Sequence, residues 1–156
     1  MVSQRFDYSG IFTVKEEFIF VFGGNGANGL LNSVEVFDTH REIWRIFDSS
    51  STTNEGFCIK RSGFEAISFC SGNKDILHLI GGLDENKKPA SLVDEFFIRD
   101  MRTLSADWSL PQPLCNFGFA QDKNKQEVLA GGSETGSVTN KVFKMAFKPG
   151  HGVVFK

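Results

Sequence analysis

Short apolar runs alternate with polar turns along this chain, and three times an apolar run ends on a glycine pair. These are Phe18 to Phe22 before Gly23-Gly24, Ile76 to Ile80 before Gly81-Gly82, and Val128 to Ala130 before Gly131-Gly132. Four or five consecutive apolar residues, as in FIFVF, predict a strand covered on both faces. Ile11 to Val14 and Phe64 to Phe69 read as first strands, each separated from the second by a short polar turn. After the glycines comes a variable polar loop and then a third strand, Val34 to Phe37 in the first block and Phe96 to Ile98 in the second. Asp38 and Asp100 close those strands, and Trp44 and Trp108 follow six and eight residues later. That spacing suits a fourth, outer strand whose indole packs between adjacent sheets. Only short strands and turns are predicted, so the chain reads as all-β with a repeat of roughly fifty residues.

The glycine pairs have a mechanical reason. At the end of a covered strand they let the chain take positive φ or pass close to a neighbouring backbone, which any Cβ would obstruct. The first and third blocks align without a gap at an offset of 108 residues, which sets Gly10 on Gly118, Gly23-Gly24 on Gly131-Gly132, Asn32 on Asn140 and Val34 on Val142. The middle block needs insertions at Ser71-Gly72-Asn73 and at Asp84 to Ala90, where turns are expected.

These residues resemble the kelch repeat, whose pattern is a glycine pair after an apolar strand, then Asn-x-Val-x-x-x-Asp and a spaced Trp. The first block carries it as Gly23, Gly24, Asn32, Val34, Asp38 and Trp44. The second carries Gly81, Gly82, Asp94, Phe96, Asp100 and Trp108, with Arg61-Ser62-Gly63 ahead of its first strand. The third keeps Gly131 and Gly132 but has Ala146 in place of the Asp and no Trp, with Gly152 to Phe155 as its candidate fourth strand. The resemblance implies three four-stranded blades of a β-propeller, approximately residues 6–50, 56–111 and 112–156. It also implies a non-catalytic scaffold that binds a protein partner. The loops Asn25 to Asn32, Leu83 to Leu92 and Ser133 to Thr139 would form the binding rim, with Asn25, Asn28, Asp84, Glu85, Lys87, Lys88 and Glu134 as candidate contacts. Closed rings have four to eight blades, so three leave open faces. A longer chain, a second copy or another subunit completing the ring, or docking on a large assembly would cover them.

Composition narrows the partner. A net charge of -2 with both signs scattered along the chain offers no basic stripe for nucleic acid. The longest apolar run, Phe18 to Phe22, is far short of the ~20 residues that span a bilayer, so no membrane partner is expected. Cys58, Cys70 and Cys115 make an odd number without CxxC spacing, which fits a reducing, cytoplasmic setting. Seventeen Phe against one Tyr and two Trp supply bulky strand cores, or an exposed aromatic docking face.

Motifs that suggest chemistry have plainer readings. Gly24 to Gly29 spells GxGxxG after a strand, but ten residues from Gly24 to Val34 leave no room for the helix a dinucleotide site requires. Asn25-Gly26 and Asn28-Gly29 read as turns, and no cofactor is expected. Glu35, Asp38 and His40 read as a solvated strand end and turn rather than metal ligands, and His78 as a hydrogen-bonded core residue. His151 is isolated, and Cys58 and Cys115 read as reduced thiols. No catalytic or metal residue is expected. A fragment of a propeller enzyme, oxidase or sugar-processing, and a structural subunit of a large complex are the competing classes.

Overall fold

A computed structural model of the chain describes residues 1–14, 17–47, 60–68, 76–121, 127–134, 136–148 and 152–156. Among these residues every regular element is a strand. The first block runs through β1 (Ser9–Val14), β2 (Phe18–Phe22), a small ribbon of β3 (Asn25–Gly26) and β4 (Gly29–Leu30), then β5 (Val34–Asp38) and β6 (Ile43–Phe47). The second has β7 (Glu65–Ile67), β8 (Ile76–Ile80), β9 (Val93–Phe97) and β10 (Arg102–Ser105). The third repeats the first: β11 (Gly118–Gln121), β12 (Glu127–Ala130), a ribbon of β13 (Ser133–Glu134) and β14 (Ser137–Val138), β15 (Val142–Lys148) and β16 (Gly152–Phe155). Each block is one four-stranded antiparallel sheet, in the orders β1-β2-β5-β6, β7-β8-β9-β10 and β11-β12-β15-β16. Antiparallel neighbours need no long crossover, and each sheet is built from strands of one block.

Alternation along the strands decides how the sheets stack. Phe20, Phe22, Val34 and Val36 leave the first sheet on one face and meet Phe64, Ala66, Leu77, Leu79 and Phe96 of the second. The Phe96 ring stands edge-on to Phe20 and Phe22, with centroids 6.0 and 5.0 Å apart. The opposite face of the second sheet sends Ile67, Ile80 and Val93 against Leu114, Phe117, Leu129 and Met145 of the third. A middle sheet covered on both sides explains the unbroken run ILHLI. Each fully buried Leu, Ile or Phe contributes about 1.5–3 kcal/mol of burial free energy.

The strand register corrects the block alignment. Val34 pairs with Phe22, and Val93 pairs with Ile80, each partner being the last residue before a glycine pair. Asp94 is therefore the counterpart of Glu35, not of Asn32. Thr103, opposite Phe96, is the counterpart of Trp44, opposite Phe37, while Trp108 lies beyond the end of β10. Asp100 is not the counterpart of Asp38 either, because Asp38 ends β5 and Asp100 sits inside the following turn. The spacing Asp94 to Asp100 imitates Asn32 to Asp38 in sequence, but the hydrogen-bonded partners place it otherwise. In the first block Ser9 pairs with Phe22 and a bulge precedes Phe12, so Gly10 does not match Gly118, which pairs with Ala130. The predicted turn at residues 71–73, together with Cys58, Cys70, His151 and the block limits at residues 50 and 56, lies outside the described residues.

Candidate functional site

All three glycine pairs lie in the positive-φ region, at 53° and 92° for Gly23 and Gly24, 66° and 96° for Gly81 and Gly82, and 68° and 95° for Gly131 and Gly132. This shared conformation sends the chain into a loop and brings it back to the same atom. Leu31 N–H donates to the Gly24 carbonyl at 2.8 Å, Ala90 to Gly82 at 2.8 Å, and Thr139 to Gly132 at 3.0 Å. A bridge to the segment before the first strand holds the base of each loop: Phe6 with Asn25, Ser62 with Leu83, and Cys115 with Ser133. Three hairpin loops thus leave the same end of three stacked sheets, each closed at its neck.

Their tips differ in chemistry. The first carries Asn28 at its tip, while Asn25 sits at the neck in the bridge to Phe6. The second is tied by its own acid, since Asn86 and Lys88 N–H donate to Asp84 Oδ1 at 2.8 and 2.9 Å and Lys87 takes φ 57°. Asp84 is thus committed to shaping the loop, whereas Glu85 makes an exposed 3.6 Å pair with Lys60, and Lys87 and Lys88 are exposed. In the third, Glu134 pairs with Lys141 at 3.3 Å and Val138 is 89% exposed. Lys141 also donates to Gln112 Oε1.

The structure assigns other predicted residues to framework roles. Asp38 accepts N–H bonds from His40 and Arg41 at 3.1 and 2.9 Å, which, ahead of an opposing effect of burial, holds its carboxyl below the usual range. Asp100 makes an exposed 3.6 Å pair with Arg102. Trp44 lies against Phe37, centroids 5.0 Å apart, on the face of the first sheet turned away from the second. Trp108 fills space between the second and third sheets, 5.7 Å from His78 and 6.1 Å from Phe155. Asn32 sits half-buried ahead of β5. His78 stands 3.4 Å from Glu95, and burial pushes its imidazole down to about 4, so it is neutral at pH 7. Among the described residues no group of three or more His, Cys, Asp or Glu is placed to hold a metal.

Glu35 overturns its reading as part of a solvated strand end. Its carboxylate is fully buried, accepting from Arg5 at 2.6 Å and from Val2 and Ser3 N–H at 2.6 and 2.8 Å. Burial opposes ionisation, but these donors together hold the carboxyl below its ordinary value. The second sheet repeats the device with Arg61 and Asp94, both buried. There burial pushes the carboxyl up, partly offset by Arg61 and Ser105. Both arginines also reach the carbonyl of the first glycine, Arg5 to Gly23 at 3.0 Å and Arg61 to Gly81 at 2.9 Å. The sequence carries a faint signal for this: an acid as the second residue of the third strand, directly after a Val, in VEVF and VDEFF.

At the far end of the first two sheets, an apolar hollow of about 190 Å³ is lined by Phe18, Phe20, Val36, Phe47, Ile98 and Met101, with Asp38 and Arg45 beside it.

No family model matches this chain. Alpha-scruin of Limulus polyphemus is 32% identical over 129 residues, which cover 78% of this chain and 12% of that protein. The chain thus spans about an eighth of that relative's length. No helix among the described residues is long and apolar enough to cross a membrane.

Proposed function

We propose that this chain is a kelch-type β-propeller segment of three four-stranded blades and that it acts as a non-catalytic scaffold for a protein partner. The observation that carries the reading is the set of three loops, each closed by an N–H returning to the second glycine of its pair, on one end of stacked rigid sheets. A fixed neck lets the tips vary without disturbing the core, and ordered loops bind with less entropy loss than mobile ones. The 32% identity to Alpha-scruin over 78% of this chain is consistent with the repeat assignment. The resemblance in Gly23-Gly24, Asn32, Val34, Asp38 and Trp44 points the same way. Asn25, Asn28, Glu85, Lys87, Lys88 and Glu134 are the contacts we assign to the partner, with Asp84 shaping its loop. The buried thiol of Cys115 suits a reducing cytoplasm.

The test replaces residues 84–88 with Gly/Ser and compares partners captured by the two chains alongside their melting temperatures. A partner lost from the variant at unchanged Tm is expected. An identical capture profile would remove this loop from the rim.

A further inference from the structure

The two junctions between sheets are copies of one another. In the first, Gly24 N–H of the first sheet donates to the Arg61 carbonyl at 3.1 Å, and Gly63 N–H donates back to the Asp7 carbonyl at 3.0 Å. In the second, Gly82 N–H donates to the Leu114 carbonyl at 2.8 Å and Asn116 N–H to the Gly63 carbonyl at 2.8 Å. Close backbone approach accompanies these bonds: a Cβ on Gly23 would meet the Arg61 oxygen at 2.8 Å, and one on Gly81 the Leu114 oxygen at 2.5 Å.

The third sheet presents the same half-junction with no described residue opposite it. Gly131 and Gly132 hold the same backbone angles, yet a Cβ on Gly131 would meet only the Thr139 oxygen, at 3.8 Å. Among the described residues no carbonyl accepts from Gly132 N–H, and no N–H donates to the Asn116 carbonyl. The first sheet presents the complementary half. Arg5 and Asp7 occupy the places of Arg61 and Gly63, and Asp7 has φ 52° where Gly63 has 60°. The Arg5–Glu35 pair also matches Arg61–Asp94, which lies beneath a neighbouring sheet. Val2 and Ser3 N–H bind the Glu35 carboxylate, and at this corner Arg5, Val21 and Glu35 are already buried within the chain.

We infer that the third sheet of one chain docks on the first sheet of a second copy, through Gly132 N–H to the Arg5 carbonyl and Asp7 N–H to the Asn116 carbonyl. The side chains suit this pairing. The outward face of the third sheet carries Val128, Ala130, Val142, Ala146 and Val154 around an exposed Lys144, and that of the first carries bulky Ile19, Phe37, Trp44 and Ile46 beside Val21 and Glu35. Val142 is 55% and Ile46 41% exposed. Small aliphatic positions opposite large aromatic and branched ones interdigitate without voids. Used twice, the contact joins six sheets, within the range of closed rings. The ring rests on the propeller reading, while the docking contact rests on the observed junctions and is independent of the loops.

Light scattering over a concentration series tests it. The chain should run at twice its own mass, and both Gly131→Asn and Ile46→Glu should run at the single mass with native circular dichroism. Asn tolerates positive φ with little strain, so Gly131→Asn places a side chain in the docking space while sparing the fold. The Gly/Ser replacement of residues 84–88 should keep the double mass, which separates this contact from partner binding. A wild-type chain at single mass, or variants that keep the double mass, would overturn the inference.

Discussion

Beneath the first sheet, the second buries Arg61 against Asp94; beneath the second, the third has Leu114 and Phe143 at the same two positions. The correspondence follows from the pairing, since Phe143 opposite Leu129 stands where Asp94 stands opposite Leu79. It follows too from the junction bonds, in which the Leu114 and Arg61 carbonyls accept from equivalent glycines. The exchange is made at both positions together. A buried ion pair replaced whole by apolar groups is often neutral in stability, whereas losing one partner strands a charge without water or counter-ion. The glycine carbonyl that the guanidinium contacts at Gly81 has no arginine at the third sheet, and the backbone geometry is the same. The arginine is therefore not required to form the glycine turn. What it does in the first two sheets is neutralise the acid of the third strand and tie that strand to the glycine corner.

The largest expected effect comes from breaking one side of the comparison. Arg61→Leu, which copies the third sheet at one position only, should cost about 3–5 kcal/mol of unfolding free energy in urea titration. Adding Asp94→Phe, completing the copy, should recover at least half of that loss, and a double variant no more stable than the single would mean the two junctions are not interchangeable. Arg5→Leu should cost less than Arg61→Leu, because Glu35 keeps the Val2 and Ser3 donors.

The second effect concerns another position where the blocks differ. His78, paired opposite Glu95, stands where the first sheet has Phe20 opposite Val36. Burial holds the imidazole at about 4, below the 6.5 of an unfolded chain. As pH falls the unfolded chain takes up the proton first, so stability is intact above about 6.5 and declines progressively toward pH 4, by up to about 3 kcal/mol. Melting curves across this window should show the decline. His78→Phe should flatten it, and an unchanged slope would place the titrating group elsewhere.

The smallest effect separates the two acids that the sequence made look alike. Asp38→Ala removes the acceptor for two backbone N–H groups and should lower Tm slightly, whereas Asp100→Ala removes an exposed ion pair and should leave Tm unchanged. Equal shifts would mean that the two N–H bonds of Asp38 contribute no more than the exposed Asp100–Arg102 pair.

The all-β character, most of the strands and the glycine corners were legible in the sequence, because each depends on neighbours in the chain; the fourth strand of the second block was expected at Trp108 and lies instead at Arg102–Ser105. A covered strand must be apolar throughout, and a turn at positive φ selects glycine. Register was not legible. Asp94 and Trp108 fall at spacings that imitate the first block, and only the pairing of Val93 with Ile80 shows that Asp94 repeats Glu35. The buried pairs were missed for the same reason: Arg5 lies 30 residues from Glu35, and Arg61 lies 33 from Asp94. The candidate loops were found, but the division of labour within them, Asp84 shaping its turn while Glu85, Lys87 and Lys88 stay on the surface, needed the geometry. By itself the sequence determined the repeat and most of the strands, since local patterning and backbone sterics act over a few residues. Only the tertiary structure decided which carboxylate meets which guanidinium, which face carries Trp44, and which sheet is left with half a junction, because those depend on strand register and on the stacking of sheets far apart in the chain.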